Sequence, residues 1–194
     1  MLPLGTPLPQ FTLSEPRTGK SISSSDLNEK PLLLVAFICN HCPYVIHLKE
    51  AFVALVKDYQ PNLQALAISS NSPETHPQDG PEAMAEDAEK YHYPFPYCFD
   101  QDQKVAPAFR AACTPEFYLF NAHRKLIYRG QFDDTRPHHR TAPDNDAKGS
   151  PPTGQDLRRA IDLALDGKQI PDSEQKPSLG CNIKWAPGNE PDYS

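Results

Sequence analysis

The stretch Leu32-Leu33-Leu34-Val35-Ala36-Phe37-Ile38-Cys39-Asn40-His41-Cys42-Pro43 decides the fold. Leu32 to Ile38 is an unbroken apolar run of the length expected for a strand covered on both faces. Beyond it, Val45, Leu48, Phe52, Leu55, Val56 and Tyr59 recur at three- and four-residue spacing, which predicts an amphipathic helix. Cys39-Asn40-His41-Cys42-Pro43 is the joint between them. Cys42 falls at or near the helix N-cap, and Pro43 takes the first helical position, where its missing N–H costs nothing. A sulfur placed there meets unpaired backbone N–H groups and the positive end of the helix dipole, which both favour the thiolate. The thiolate is the nucleophilic form, and the C-terminal edge of the sheet is where open α/β folds keep their sites.

Outward from this joint the pattern continues as alternating elements. Upstream, Phe11-Thr12-Leu13 and Lys20-Ser21-Ile22 flank Arg17-Thr18-Gly19 and predict a β-hairpin. Downstream, Leu63 to Ser69 reads as a second core strand, parallel to the first with the helix as its crossover. Ser70 to Gly80 is a polar, Pro-containing loop, and Glu82 to Tyr91 a helix with Pro81 at its start. A short strand at Tyr97-Cys98-Phe99 precedes a helical segment from Gln103 to Ala112. Glu116–Phe120 and Lys125–Arg129 form an antiparallel hairpin about Asn121-Ala122. Thr135 to Pro152 is a long polar loop containing His138-His139, and Asp133-Asp134 just before it read as a solvated turn. Thr153-Gly154-Gln155-Asp156 resembles a capping box for a last helix with its stripe at Leu157, Ala160, Ile161, Ala164 and Leu165, ended by Gly167. One domain over residues 1–166 and a tail over 167–194 follow from this order. The tail, with Cys181, Ile183 and Trp185, holds too few apolar residues to fold alone and is expected to wrap on the body.

Composition narrows the function. A chain of 194 residues with net charge −6 argues against nucleic acid and anionic membrane as partners. No apolar run approaches the roughly 20 residues of a membrane span. The N-terminus has neither a basic nor an apolar leader region, so a cytoplasmic setting is expected. Five cysteines in that setting point to thiol chemistry or metal rather than to a structural disulfide framework.

The order strand-helix-strand-helix and then strand-strand-helix resembles the thioredoxin fold: an α/β architecture with a central mixed sheet flanked by helices, here carrying an N-terminal hairpin and a C-terminal tail. Phe37 stands five positions before Cys42, as in the thioredoxin pattern, and Thr114-Pro115 stands where thioredoxin-like proteins place a cis-proline facing the attacking cysteine. The hairpin and the Cys42-Pro43 pair resemble the peroxiredoxin and alkyl-hydroperoxide-reductase branch. The blocks Asn-His-Cys-Pro-Tyr-Val at 40–45, Cys-Thr-Pro-Glu-Phe at 113–117, Tyr-Arg-Gly-Gln-Phe-Asp-Asp at 128–134 and Gly-Cys-Asn-Ile-Lys-Trp at 180–185 are similar to those of a group of bacterial thioredoxin-like proteins.

The chain also departs from both patterns. The thioredoxin position for the resolving cysteine is Val45, and the peroxiredoxin Thr and Pro positions are Cys39 and Val35. Arg110 and Arg129 are the candidates for the arginine that peroxiredoxins set beside the peroxide. The resemblance and the spacing together imply a thiol–disulfide oxidoreductase. In it Cys42 is the nucleophile, Cys39 its resolving partner, and Pro115 shapes the facing surface for an extended substrate. His41, Cys113 and Cys181 are possible supporting residues, the last two as alternative resolvers. Cys98, inside an apolar strand, reads as a packed hydrophobe, and Trp185 as an anchor for the tail. The expected partners are a disulfide or peroxide substrate and an external thiol reductant, with no cofactor. Three alternatives stand beside this reading: a peroxiredoxin-like antioxidant peroxidase, a redox-inactive interaction protein, and a copper- or zinc-binding module. The last would use Cys39, Cys42 and His41 with Cys113 or Cys181.

Overall fold

The computed structural model describes residues 1–137 and 149–193, so His138 and His139 lie outside the described residues. In chain order the elements are β1 (Thr12–Glu15), β2 (Lys20–Ser23), β3 (Leu32–Phe37), α1 (Pro43–Tyr59), β4 (Leu63–Ser69), α2 (Pro81–Lys90), β5 (Tyr97–Phe99), α3 (Val105–Phe109), β6 (Cys113–Thr114), β7 (Glu116–Phe120), β8 (Leu126–Gly130), α4 (Gln155–Leu165) and β9 (Cys181–Asn182). Seven of the strands form one mixed sheet in the order β2-β1-β5-β4-β3-β7-β8, and β6 pairs with β9 apart from it. β3 and β4 run parallel, as a helical crossover requires, while β7 runs antiparallel to both of its neighbours, β3 and β8. This is the thioredoxin-like α/β architecture.

β3 shows why an uninterrupted apolar run was needed. Its side chains alternate between two cores: Leu32, Leu34 and Ala36 pack with α1, α2 and α4, whereas Leu33, Val35 and Phe37 pack with α3 and the N-terminal arm. A polar residue anywhere along it would be desolvated on one face or the other. Phe52 centres the first core, its ring 4.9 Å from Phe95 and 5.4 Å from Phe117. Phe109 centres the second, between Phe37 and Tyr118 at 5.3 Å from each. Buried Lys49 ties α1 to α2 through Asp87, with Nζ 2.7 Å from the carboxylate. Among the described residues, no helix is long and apolar enough to cross a membrane.

Two local readings are corrected. The helix expected over Gln103–Ala112 shrinks to Val105–Phe109, because Gln103 and Arg110 both take positive φ. Gln103 is buried instead, binding the Ser70 and Lys184 carbonyls and accepting from the Ala186 N–H. The capping box at Thr153 does not form either. Gly154 is the N-cap of α4 without a side-chain bond, and the carboxylate of buried Asp133 accepts the Thr153 and Gly154 N–H groups at 2.8 and 2.7 Å. Asp133 is thus a cap borrowed from a distant turn, not part of a solvated one. Asp133→Ala should lower stability by about 1–2 kcal/mol, the usual worth of a lost cap, measured by reversible thermal or denaturant unfolding. An unchanged midpoint would show that water replaces the carboxylate at no loss.

Candidate active site

Cys42 is the N-cap of α1, with Pro43 at the first helical position, and its side chain is fully buried. The Cys42 thiol is held down to about 5, well below its ordinary value of 9.0. The largest cause is the Cys39 S–H, which donates to the Cys42 sulfur; burial opposes this, and the N–H groups of Val45 and Cys181 add to it. No full capping hydrogen bond forms at the N-cap, so the neighbouring thiol outweighs the helix end that the sequence puts first. In its protonated form the sulfur donates to the Thr114 carbonyl at 3.2 Å.

Cys39, just past the end of β3, is its complement. It is buried, its Sγ lies 3.3 Å from Thr114 Oγ1, and its thiol is pushed far above the ordinary range. The hydrogen bond to Cys42 is the main cause, followed by burial and the charge of Asp79. One proton between two sulfurs therefore resides on Cys39, and the negative charge on Cys42.

His41 turns to Asp79. Its Nδ1 pairs with Asp79 Oδ2 and its ring stacks on His76 with centroids 4.9 Å apart. Asp79 Oδ1 also accepts the Asn40 N–H at 2.8 Å and the His41 N–H at 3.2 Å, and Oδ2 accepts from Asn71 Nδ2 at 2.8 Å. This fully buried carboxylate fixes the backbone of the two residues between the cysteines. Among the described residues, Cys39, His41 and Asp79 are the group whose donor atoms lie close enough to hold a metal, all within 4.8 Å of one another. Four N–H or ring-nitrogen contacts already engage the Asp79 oxygens, so a metal there would displace hydrogen bonds rather than fill open coordination.

The Thr114–Pro115 peptide bond is cis, and the tail reaches it. β9 pairs antiparallel with β6, Thr114 opposite Cys181 and Cys113 opposite Asn182. Cys181 hydrogen-bonds Cys42 through main chain and thiol. Gly180 permits this approach, since a Cβ there would stand 2.1 Å from the Thr114 carbonyl oxygen. Cys113 lies on the other face of β6, its Sγ 3.9 Å from the Pro115 and Ser178 carbonyls, and burial raises its thiol. Cys98 packs in the second core, across the sheet, with its thiol pushed up to about 12 chiefly by burial. A cleft with about 280 Å³ of empty space opens beside Pro115, walled by Tyr44, His47, Arg136 and Leu179.

The structure thus gathers Cys39, Cys42, Cys181 and the Thr114-Pro115 turn, keeps Cys113 at the edge of that group beside the Pro115 carbonyl, and leaves Cys98 outside it. Of the two candidate arginines, Arg110 stacks its guanidinium on Tyr193 at 5.0 Å, and Arg129 keeps Nε and Nη1 buried without hydrogen bonds. Asp79 is the site residue that the sequence reading passes over, while Thr114 and Gly180 enter it only as parts of longer blocks. Asp79 sits in what reads as a polar loop, and no local pattern marks it as buried.

Residues 4–129 match the model of the AhpC/TSA family. A hypothetical protein of Sinorhizobium meliloti is similar in structure, with 40% identity, TM-score 0.88 and 97% of each chain covered. An uncharacterized conserved protein of Geobacillus kaustophilus has 44% identity and TM-score 0.88 over 97% of this chain and 95% of that one. Peroxidoxin BcpB of Mycobacterium tuberculosis shares the fold at 18% identity, with TM-score 0.54 over 64% of this chain and 82% of that one. No curated protein matches the chain.

Proposed function

The chain belongs to the AhpC/TSA family, and on that premise we propose that it is a thiol–disulfide oxidoreductase working through the pair Cys39 and Cys42. Its general class is thiol oxidoreductase or peroxidase. What supports the finer reading is the geometry of the two sulfurs, Cys42 at the N-cap of α1 and Cys39 three residues before it, both against Thr114, with Cys42 the more acidic. Cys42 thiolate attacks one sulfur of a substrate disulfide, forming a mixed disulfide and expelling the other sulfur as a thiolate that takes up a proton. Cys39 then loses its proton and attacks the Cys42 sulfur, which forms the Cys39–Cys42 bridge and releases the reduced substrate. An external dithiol returns the pair to the reduced state, consistent with a reducing compartment such as the cytoplasm.

A peroxidase is the second reading, favoured by the complete burial of Cys42, which a small oxidant tolerates better than a protein disulfide. Against it, the Thr position is Cys39, and Arg110 is engaged with the Tyr193 ring. With dithiothreitol as reductant, bis(2-hydroxyethyl) disulfide and hydrogen peroxide should be offered in parallel to the pure protein. Faster turnover of the disulfide is expected. Peroxide turnover exceeding disulfide turnover would replace this reading with the peroxidase.

A further inference from the structure

The tail is anchored on both sides of the point where it crosses the site. Before the crossing, the Gln131 N–H binds the Lys176 carbonyl at 3.0 Å and Ser178 Oγ donates to the Gly130 carbonyl at 2.6 Å. After it, the Lys184 N–H binds Asn71 Oδ1 at 2.8 Å, the Ser72 N–H binds the Lys184 carbonyl at 2.7 Å, and Ile183 is buried in the second core. The segment between is a fixed bridge rather than a loose flap. It occupies the backbone edge of Thr114 and rests Cys181 on Cys42. Cys39 and Cys42 are sealed, at 1% and 0% exposure, while Cys181 is partly open to solvent. A disulfide between these two sulfurs would have both of its atoms buried, and Cys181 is the more exposed of the three cysteines for a reductant to meet.

We propose that Cys181 is the exit thiol of this site, the third member of a relay that carries the disulfide from the buried pair to the surface. The inference rests on the reading of Cys42 as the redox nucleophile. In the step, Cys181 gives up its proton and its sulfur attacks the Cys42 sulfur of the Cys39–Cys42 bridge. The Cys42–Cys181 bond forms, the Cys39–Cys42 bond breaks, and Cys39 leaves with the electron pair and takes up the proton. There is no net oxidation. Thr114 Oγ1, 3.3 Å from Cys39 Sγ, is placed to donate to the departing sulfur. An external dithiol then attacks the sulfur of partly exposed Cys181, forms a mixed disulfide with it and expels the Cys42 thiolate, and the dithiol's other sulfur displaces Cys181 as a thiolate that takes up a proton. That second exchange leaves Cys42 and Cys181 reduced and the dithiol oxidised to its disulfide.

The test is disulfide mapping by peptide mass spectrometry after oxidation with one equivalent of glutathione disulfide, together with the rate of reduction by dithiothreitol. Wild-type protein should show a Cys42–Cys181 linkage, and Cys39→Ser should show it as well, formed directly from the mixed disulfide on Cys42. In Cys181→Ser and Cys181→Ala the Cys39–Cys42 bridge should accumulate and its reduction should slow about tenfold or more, as expected for loss of access. The relay is overturned if the Cys42–Cys181 linkage is missing from both wild type and Cys39→Ser, or if the Cys181 variants are reduced at the wild-type rate. If Cys42 is neither glutathionylated nor bridged in any of these proteins, the oxidoreductase reading itself fails. If Cys42 is modified but never linked to Cys181, only the relay fails.

Discussion

Cys42→Ser is expected to abolish disulfide turnover, a loss on the order of a thousandfold or more for a vanished nucleophile, with the circular dichroism of the folded protein preserved. The near-isosteric hydroxyl can keep the contact to the Thr114 carbonyl, so the fold loses little while the reaction loses its attacking atom. Cys39→Ser should behave differently. Cys42 remains and its first attack proceeds, but the thiol hydrogen-bonded to it is gone, so turnover drops and passes through Cys181. In the double variant Cys39→Ser, Cys181→Ser the reaction should stop after one event, with substrate held on Cys42. Wild-type turnover in Cys39→Ser, joined to an intermediate trapped by Cys113→Ser, would move the resolving role to the cysteine before the cis-proline turn.

The second large effect is on pH. Ultraviolet thiolate absorbance, wild type minus Cys42→Ser, should rise with a midpoint near 5. Cys39→Ala removes the S–H that contributes most, and a hydrogen bond to a charged group is worth about 1.5–3 kcal/mol, so the midpoint should climb by about one to two pH units. A midpoint that stays near 5 in Cys39→Ala would assign the acidity to the helix end and the Val45 and Cys181 N–H groups instead. The same perturbation makes stability pH-dependent. The folded value for Cys42 lies below its ordinary 9.0, so its contribution is complete above about 9 and is lost as pH falls through 5. Cys39 is shifted the other way: its contribution is complete below its ordinary 9.0 and declines as pH rises beyond it. The reduced pair therefore stabilises the protein most near pH 9, relative to a variant lacking both sulfurs.

Much of this was legible because it is local. The apolar run at Leu32–Ile38, the spacing of Val45 to Tyr59 and the Cys42-Pro43 joint each reflect forces within a few residues, and β3, α1 and the N-cap stand where those forces put them. Thr114-Pro115 was legible by resemblance, and the bond is cis. What was hidden is non-local. Asp79 joins the candidate site only because the turn at residues 77–79 folds back on Asn40 and His41. Asp133 caps α4 across a gap of some twenty residues, which defeats the nearby Thr153 that fits a capping box on paper. Helical propensity ran to Ala112, but the tail needed Gln103 and the chain turned left-handed there. Cys181 looked like a remote alternative, and its contact with Cys42 depends on Gly180 letting two backbones meet. Sequence spacing carries no record of such pairings.

The most direct measurement of the central claim is the site of covalent capture. The Cys39→Ser, Cys181→Ser protein, reduced and then exposed to glutathione disulfide at pH 6–7, should carry a single glutathionyl group, and peptide mass spectrometry should place it on Cys42. A glutathionyl group on Cys98 or Cys113 in its stead, or no adduct at a pH where Cys42 is ionised, would contradict the account.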